Sequence, residues 1–155
     1  MSAKRPSELA TCLKSKKRAL LLTGALCNEL NFDGKSLLDY AAEIAKKLKL
    51  PVAATANTAK GLKERGVEKV AKKYAAEIVD FIRGPEWKEP ITTEKPELLI
   101  FLGYSPKVAR GLTSGVKGAE TVALGNVYIK EANYSLGDAS LKQYQQNLEQ
   151  LIKAL

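Results

Sequence analysis

Apolar residues along this chain gather in short unbroken runs, and between the runs they recur at helical spacing. Ala19, Leu20, Leu21 and Leu22, with Thr23, form a run closed by Gly24, the pattern of a strand buried on both faces of a parallel sheet. Leu98 to Leu102, closed by Gly103, and Glu120 to Leu124, ending at Gly125, repeat it. Pro51 to Thr55 predicts a further, shorter strand. Between the first two runs, Leu37, Ala41, Ile44 and Leu48 make one helical row, while Asp39, Glu43, Lys46 and Lys47 face away. Asp33 or Ser36 starts that helix, Ser36 with Asp39 matches a capping box, and Pro51 closes the segment.

From Gly61 to Arg83 the apolar positions keep a helical period, with room for a short strand and a break near Tyr74. Gly84, Pro85, Trp87, Pro90 and Pro96 mark a surface connection. Pro106 opens a helix through Val108, Ala109, Leu112 and Val116. Ser140 and Gln143 match a capping box for a last helix, along which Leu141, Tyr144, Leu148, Leu151 and Leu155 form a stripe. That stripe either packs on its own domain or offers a partner surface. Strands alternating with helices predict a doubly wound α/β domain: a mainly parallel sheet, helices on both faces, right-handed crossovers. A single domain over residues 19–155 is expected, preceded by a basic arm or short helix over residues 1–18.

Composition narrows the picture. The apolar stretches, Ala19 to Leu22 and Leu98 to Leu102 among them, are far below the roughly 20 residues of a membrane span. Lys4 and Arg5 are followed by Pro6, Ser7 and Glu8 rather than by an apolar signal core, so a cytoplasmic protein is expected. Cys12 and Cys27 read as reduced thiols. The net charge of +8 favours an acidic partner. Lys46, Lys47 and Lys49, and likewise Lys69, Lys72 and Lys73, read as solvated helix faces without interleaved aromatics, so nucleic acid is not expected as a partner.

The chain contains no histidine, no CxxC pair, no paired-carboxylate motif of the glycosidase kind and no Walker A sequence, so no catalytic residue and no metal ligand is assigned. In doubly wound sheets ligands settle beyond the carboxyl ends of the strands. The candidates for such a crevice are Gly24, Ala25 and Asn28 after the first strand, Thr55, Asn57 and Gly61 after the second, Gly103 and Tyr104 after the third, and Asn126 on the rim. Gly24 either lets backbone approach a phosphate or simply turns the chain, since GxGxxG is absent. Tyr104 either stacks on a ring or covers the core edge, and Trp87 either anchors a partner or packs on the domain itself.

The order of segments resembles the epsilon subunit family of the archaeal acetyl-CoA decarbonylase/synthase complex, also called the carbon monoxide dehydrogenase beta subunit family. The resemblance rests on Lys17 to Gly24, Pro51 to Gly61, Gly84 to Lys88, Leu98 to Gly103 and Asn133 to Gly137. It implies a fold similar to the DHS-like NAD/FAD-binding domains of deoxyhypusine synthase, sirtuins and thiamine-diphosphate enzymes. It also implies a non-catalytic subunit that joins the nickel-iron alpha subunit as α2ε2, stabilising it and aiding electron transfer to FAD, with an epsilon homodimer as a further contact. FAD is the one cofactor this brings into view. The competing expectation is a free-standing flavin- or nicotinamide-nucleotide-binding protein.

Overall fold

Ala19–Thr23 forms β1, every residue of it buried, and it is the axis on which the molecule is built. The computed structural model describes residues 3–55, 57–87 and 91–155, so Ala56, Lys88 and Pro90 of the segments above lie outside the described residues. Ahead of β1, Pro6–Ser15 forms helix α1, and its Leu9, Ala10 and Leu13 are buried. After β1 come a short helix α2 (Leu26–Glu29), a hairpin of β2 (Asn31–Phe32) and β3 (Lys35–Ser36), and helix α3 (Leu37–Leu48). Then follow β4 (Val52–Ala54), α4 (Ala59–Glu64), β5 (Val70–Lys72), α5 (Ala75–Arg83), β6 (Leu98–Leu102), α6 (Pro106–Gly115), β7 (Glu120–Ala123), β8 (Tyr134–Ser135) and α7 (Leu141–Ala154).

Six strands form one sheet in the order β5-β4-β1-β6-β7-β8, every neighbouring pair parallel. Leaving aside the β2/β3 hairpin and counting the strands as the chain meets them, this is the 3-2-1-4-5-6 order of a Rossmann sheet. Side chains alternate across it and build two cores. Leu21, Ala54, Ile100 and Leu102 face α1, α3, α4 and α7. Leu20, Leu22, Ala53, Leu99 and Phe101 face α5 and α6. The doubly wound expectation therefore holds, and β1 and β6, the two central strands, flank the point where crossovers change face. Among the described residues, no helix is long and apolar enough to cross a membrane.

Three expectations need correction. The apolar period from Gly61 to Arg83 is helical only at its two ends: α4 ends at Glu64, Gly66 takes φ +86°, and β5 is the short strand that the pattern leaves room for, with Tyr74 at the break before α5. Val67, Val70 and Ala71 mimic helical spacing because an edge strand of three residues shows little alternation, and Lys69 and Lys72 lie at that edge rather than on a helix. Asp33 does not start α3; with Gly34 it forms the hairpin turn, both at positive φ (49° and 91°). Ser36 is the cap, its side chain accepting from Asp39 N–H while the Asp39 carboxylate accepts from Ser36 N–H. At α7 only half of the capping box forms: Ser140 accepts from Gln143 N–H, but the Gln143 amide donates to Asn147 instead.

The α7 stripe serves the domain. Tyr144, Leu148 and Leu151 are buried against α1 and α3, the Tyr144 hydroxyl donates to the Leu124 carbonyl at 2.5 Å, and Gln145 and Glu149 hold the Tyr40 hydroxyl of α3. Trp87 packs edge-on against Phe81 and donates from its indole nitrogen to the Thr92 carbonyl at 3.1 Å, so it closes the domain's own edge.

Candidate functional site

At the carboxyl rim, the chain leaving β1 and the chain leaving β6 are stitched together by backbone hydrogen bonds. Gly24 N–H donates to Leu102 and Leu26 N–H donates to Gly103, both at 2.9 Å. A Cβ on Gly24 would lie 2.5 Å from the Gly103 carbonyl oxygen and 2.8 Å from the Tyr104 ring. A Cβ on Gly103, which sits at φ +91°, would lie 2.5 Å from the Cys27 sulfur. Contact between the two loops thus accounts for both glycines without a phosphate.

Beside them, threonines from the end of β1 and from the loop after β4 form a closed hydroxyl network. Thr55 Oγ1 donates to the Thr23 carbonyl at 2.5 Å, and Thr58 Oγ1 donates to the Thr55 carbonyl at 2.7 Å. Each hydroxyl has one proton, so Thr23 must be the donor in its 2.8 Å contact with Thr58, and Tyr104 the donor in its longer 3.4 Å contact with Thr55. Thr23, Thr55 and Thr58 are all buried. Above this layer, Asn28 and Asn57 are exposed, and the Asn28 amide donates to the Asn57 carbonyl at 3.2 Å, bridging the β1 and β4 loops. Asn57 takes φ +67°, a conformation asparagine tolerates better than most residues. Ala25 is exposed beside them.

The structure therefore gathers Gly24, Ala25, Asn28, Thr55, Asn57, Gly103 and Tyr104 at the switch point. Gly61 lies elsewhere, inside α4, where a Cβ would meet Leu38 of α3 at 2.5 Å. Asn126 is drawn toward Ala139, accepting its N–H at 2.9 Å and contacting its carbonyl at 3.5 Å. Thr23 and Thr58, which organise the cluster, belong to no motif; the one signal is a threonine ending an apolar run.

The buried thiol and phenol at this rim are held neutral. Burial pushes the Cys27 thiol up to about 12, and its sulfur leans on the Leu102 carbonyl at 3.5 Å. Burial likewise pushes the Tyr104 hydroxyl well above its ordinary value. Neither is poised to act as a nucleophile or proton carrier near neutral pH. Among the described residues, no group of three His, Cys, Asp or Glu side chains is placed to hold a metal ion. What the rim offers is hydrogen bonding and shape.

Residues 1–152 match the family model of the CO dehydrogenase beta subunit/acetyl-CoA synthase epsilon subunit. The chain belongs to this family. Among curated epsilon-family relatives, it is 33% identical over 138 residues to acetyl-CoA decarbonylase/synthase complex subunit epsilon 1 of Archaeoglobus fulgidus, spanning 86% of this chain and 72% of that protein. It is 29% identical over 157 aligned positions to the epsilon subunit of Methanothrix soehngenii, covering 97% and 81% of the two chains. Epsilon 1 of Methanosarcina barkeri is 28% identical, covering 97% of this chain and 86% of its own.

Proposed function

We propose that this epsilon-family chain is a non-catalytic cytoplasmic subunit that docks on the nickel-iron alpha subunit of a carbon monoxide dehydrogenase and stabilises it, as an α2ε2 component. The observation that carries this reading is the family match over residues 1–152. The rim geometry supports it: the thiol and phenol at the switch point stay protonated, and the threonine hydroxyls are satisfied within the chain. Co-expression with the alpha subunit tests it. The two should co-elute in equal amounts, and alpha alone should lose carbon monoxide oxidation faster on heating. An alpha subunit that purifies and survives equally well without this chain sinks the reading.

A second reading gives the carboxyl rim to FAD, in a domain of the DHS-like NAD/FAD-binding kind. Its support is the exposed Asn28 and Asn57 pair, which bridges two loops beside the switch point where open α/β sheets take ligands. Titration followed by flavin fluorescence, repeated on Asn57→Ala, tests it; unchanged fluorescence with the wild-type chain removes it.

A further inference from the structure

At the opposite rim of the sheet, where the strands begin, three cavities of about 560, 310 and 210 Å³ run into one another. The largest and the smallest share Lys49 and Leu50; the smallest and the remaining one share Lys17, Ala19 and Pro51. They form a single groove from the segment before β5, past the end of α3, to the segment before β6. Its floor is aliphatic, from Leu13, Ala45, Leu48, Leu50 and Val67.

Its walls are basic. Lys14, Lys17, Lys46, Lys49 and Lys69 line it, all exposed, and none has a carboxylate partner among the described residues. Lys16 and Arg18 line it too but are engaged, with Glu120 at 2.7 Å and with Glu94 and Glu97 at 3.6 and 3.5 Å. The carboxylates in the lining are Glu68 and Glu94, the latter already facing Arg18. Helix dipoles explain part of this, because α1 and α3 end here and Lys14 and Lys46 sit in their last turns. They do not explain Lys17 and Lys69, which lie on loops leading into strands. Five like charges around one groove repel one another, a cost that a bound acidic surface would reverse.

We infer that this amino-terminal groove is the docking face for the partner subunit, and that it takes a surface whose carboxylates flank aliphatic side chains. None of the lining residues is aromatic, which disfavours single-stranded nucleic acid, whose bases stack on aromatic rings. The cations are spread along the groove rather than converging on one point, which suits an extended acidic face better than a small anion. This rests on the reading of the chain as a subunit bound to the alpha subunit, and it names the surface that does the binding.

The test measures binding of the full chain to the purified alpha subunit at several salt concentrations, for the wild type and two triple variants. One variant carries Lys17→Glu, Lys49→Glu and Lys69→Glu. The other carries the same charge change at Lys107, Lys130 and Lys142, exposed positions away from the groove. Wild-type affinity should fall as salt rises, and the groove variant should bind at least about tenfold more weakly, chiefly through slower association. The control variant should stay within about threefold of wild type, since charges outside the contact face act only through a long-range field that salt screens. Melting curves confirm that both variants fold. If the wild-type chain does not bind the alpha subunit, the subunit role fails and the docking face falls with it. If it binds and the two variants weaken equally, or neither weakens, the role stands and the groove is not the docking face. Tighter retention of a short single-stranded oligonucleotide than of the alpha subunit would also overturn the assignment.

Discussion

At the carboxyl rim, Gly24 and Gly103 approach so closely that neither has space for a Cβ, and three buried threonine hydroxyls hydrogen-bond within the chain. At the amino rim, five exposed lysines stand around a groove whose floor is aliphatic. In a wound sheet the carboxyl rim is where ligands are expected, yet here its buried polar groups are satisfied within the chain, and it is the amino rim that gathers five lysines around one groove. The comparison teaches that a glycine after a strand can mark a close approach between two parts of the protein as readily as one between protein and ligand.

The largest effect should come from filling that approach. Gly24→Ala sets a methyl group against the Gly103 carbonyl, a backbone atom that cannot rotate away, and should cost about 3 kcal/mol or more. Gly111→Ala is the counterpart: it lies within α6 with nothing inside 4 Å of the added carbon, and should stabilise by about 0.5–1 kcal/mol. Urea unfolding of both variants decides the matter. Equal, small effects would mean that the two loops do not pack as described.

Alkaline titration should come next in size. An unfolded thiol ionises near 9.0, whereas burial holds the folded Cys27 thiol protonated until about 12. The unfolded chain therefore releases this proton first, and the contribution, complete below pH 9, is lost as pH climbs through that interval. One such group changes stability by up to about 1.4 kcal/mol per pH unit. Cys27→Ala should flatten the decline between pH 9 and 10, before the buried tyrosines join in. An unchanged slope would mean that the thiol is not shielded.

These two effects also mark where sequence was informative. The five-residue apolar runs placed β1 and β6 because continuous burial on both faces leaves an unbroken pattern, and Ser36 with Asp39 placed the start of α3 through a cap that forms as expected. The β5 edge showed only as room for a short strand, because a three-residue strand is too short to show alternation and Val67, Val70 and Ala71 happen to fit a helix. Of the rim residues, Gly24, Thr55, Gly103 and Tyr104 were found by their position after strands. Gly61 was grouped with them because a loop and the first turn of a helix look alike in a short polar stretch. The amino-rim groove left no local trace: its lysines come from three separate segments, and each segment alone looks like an ordinary solvated surface.

The hydroxyl network offers a test of intermediate size. Thr58→Val keeps the shape but removes the acceptor for Thr23, leaving that buried hydroxyl unpaired, and one of the two donors to the Thr55 carbonyl, which keeps the Thr58 N–H. A loss of about 2 kcal/mol is expected, with Thr58→Ser recovering most of it. If serine is as poor as valine, the methyl packing rather than the hydroxyl holds the rim.

The smallest effect belongs to the amino rim and runs in the opposite direction of pH. Glu120 is held below its ordinary 4.5, first by the Lys16 ammonium at 2.7 Å and, against the opposing effect of burial, also by the Tyr134 hydroxyl. A depressed carboxylate adds stability that is present above pH 4.5 and fades as pH falls through the lower folded value. Its side chain is 38% exposed, so solvent screening keeps the contribution under about 1 kcal/mol. Lys16→Ala should therefore flatten the acid limb slightly and, because Glu120 also raises the lysine above its ordinary 10.5, change the alkaline limb only above that pH, leaving the Cys27-dependent decline between pH 9 and 10 untouched. A variant that changed the Cys27 dependence would show that the two rims are coupled through the sheet, and would end the separation between a self-satisfied end and a charged one.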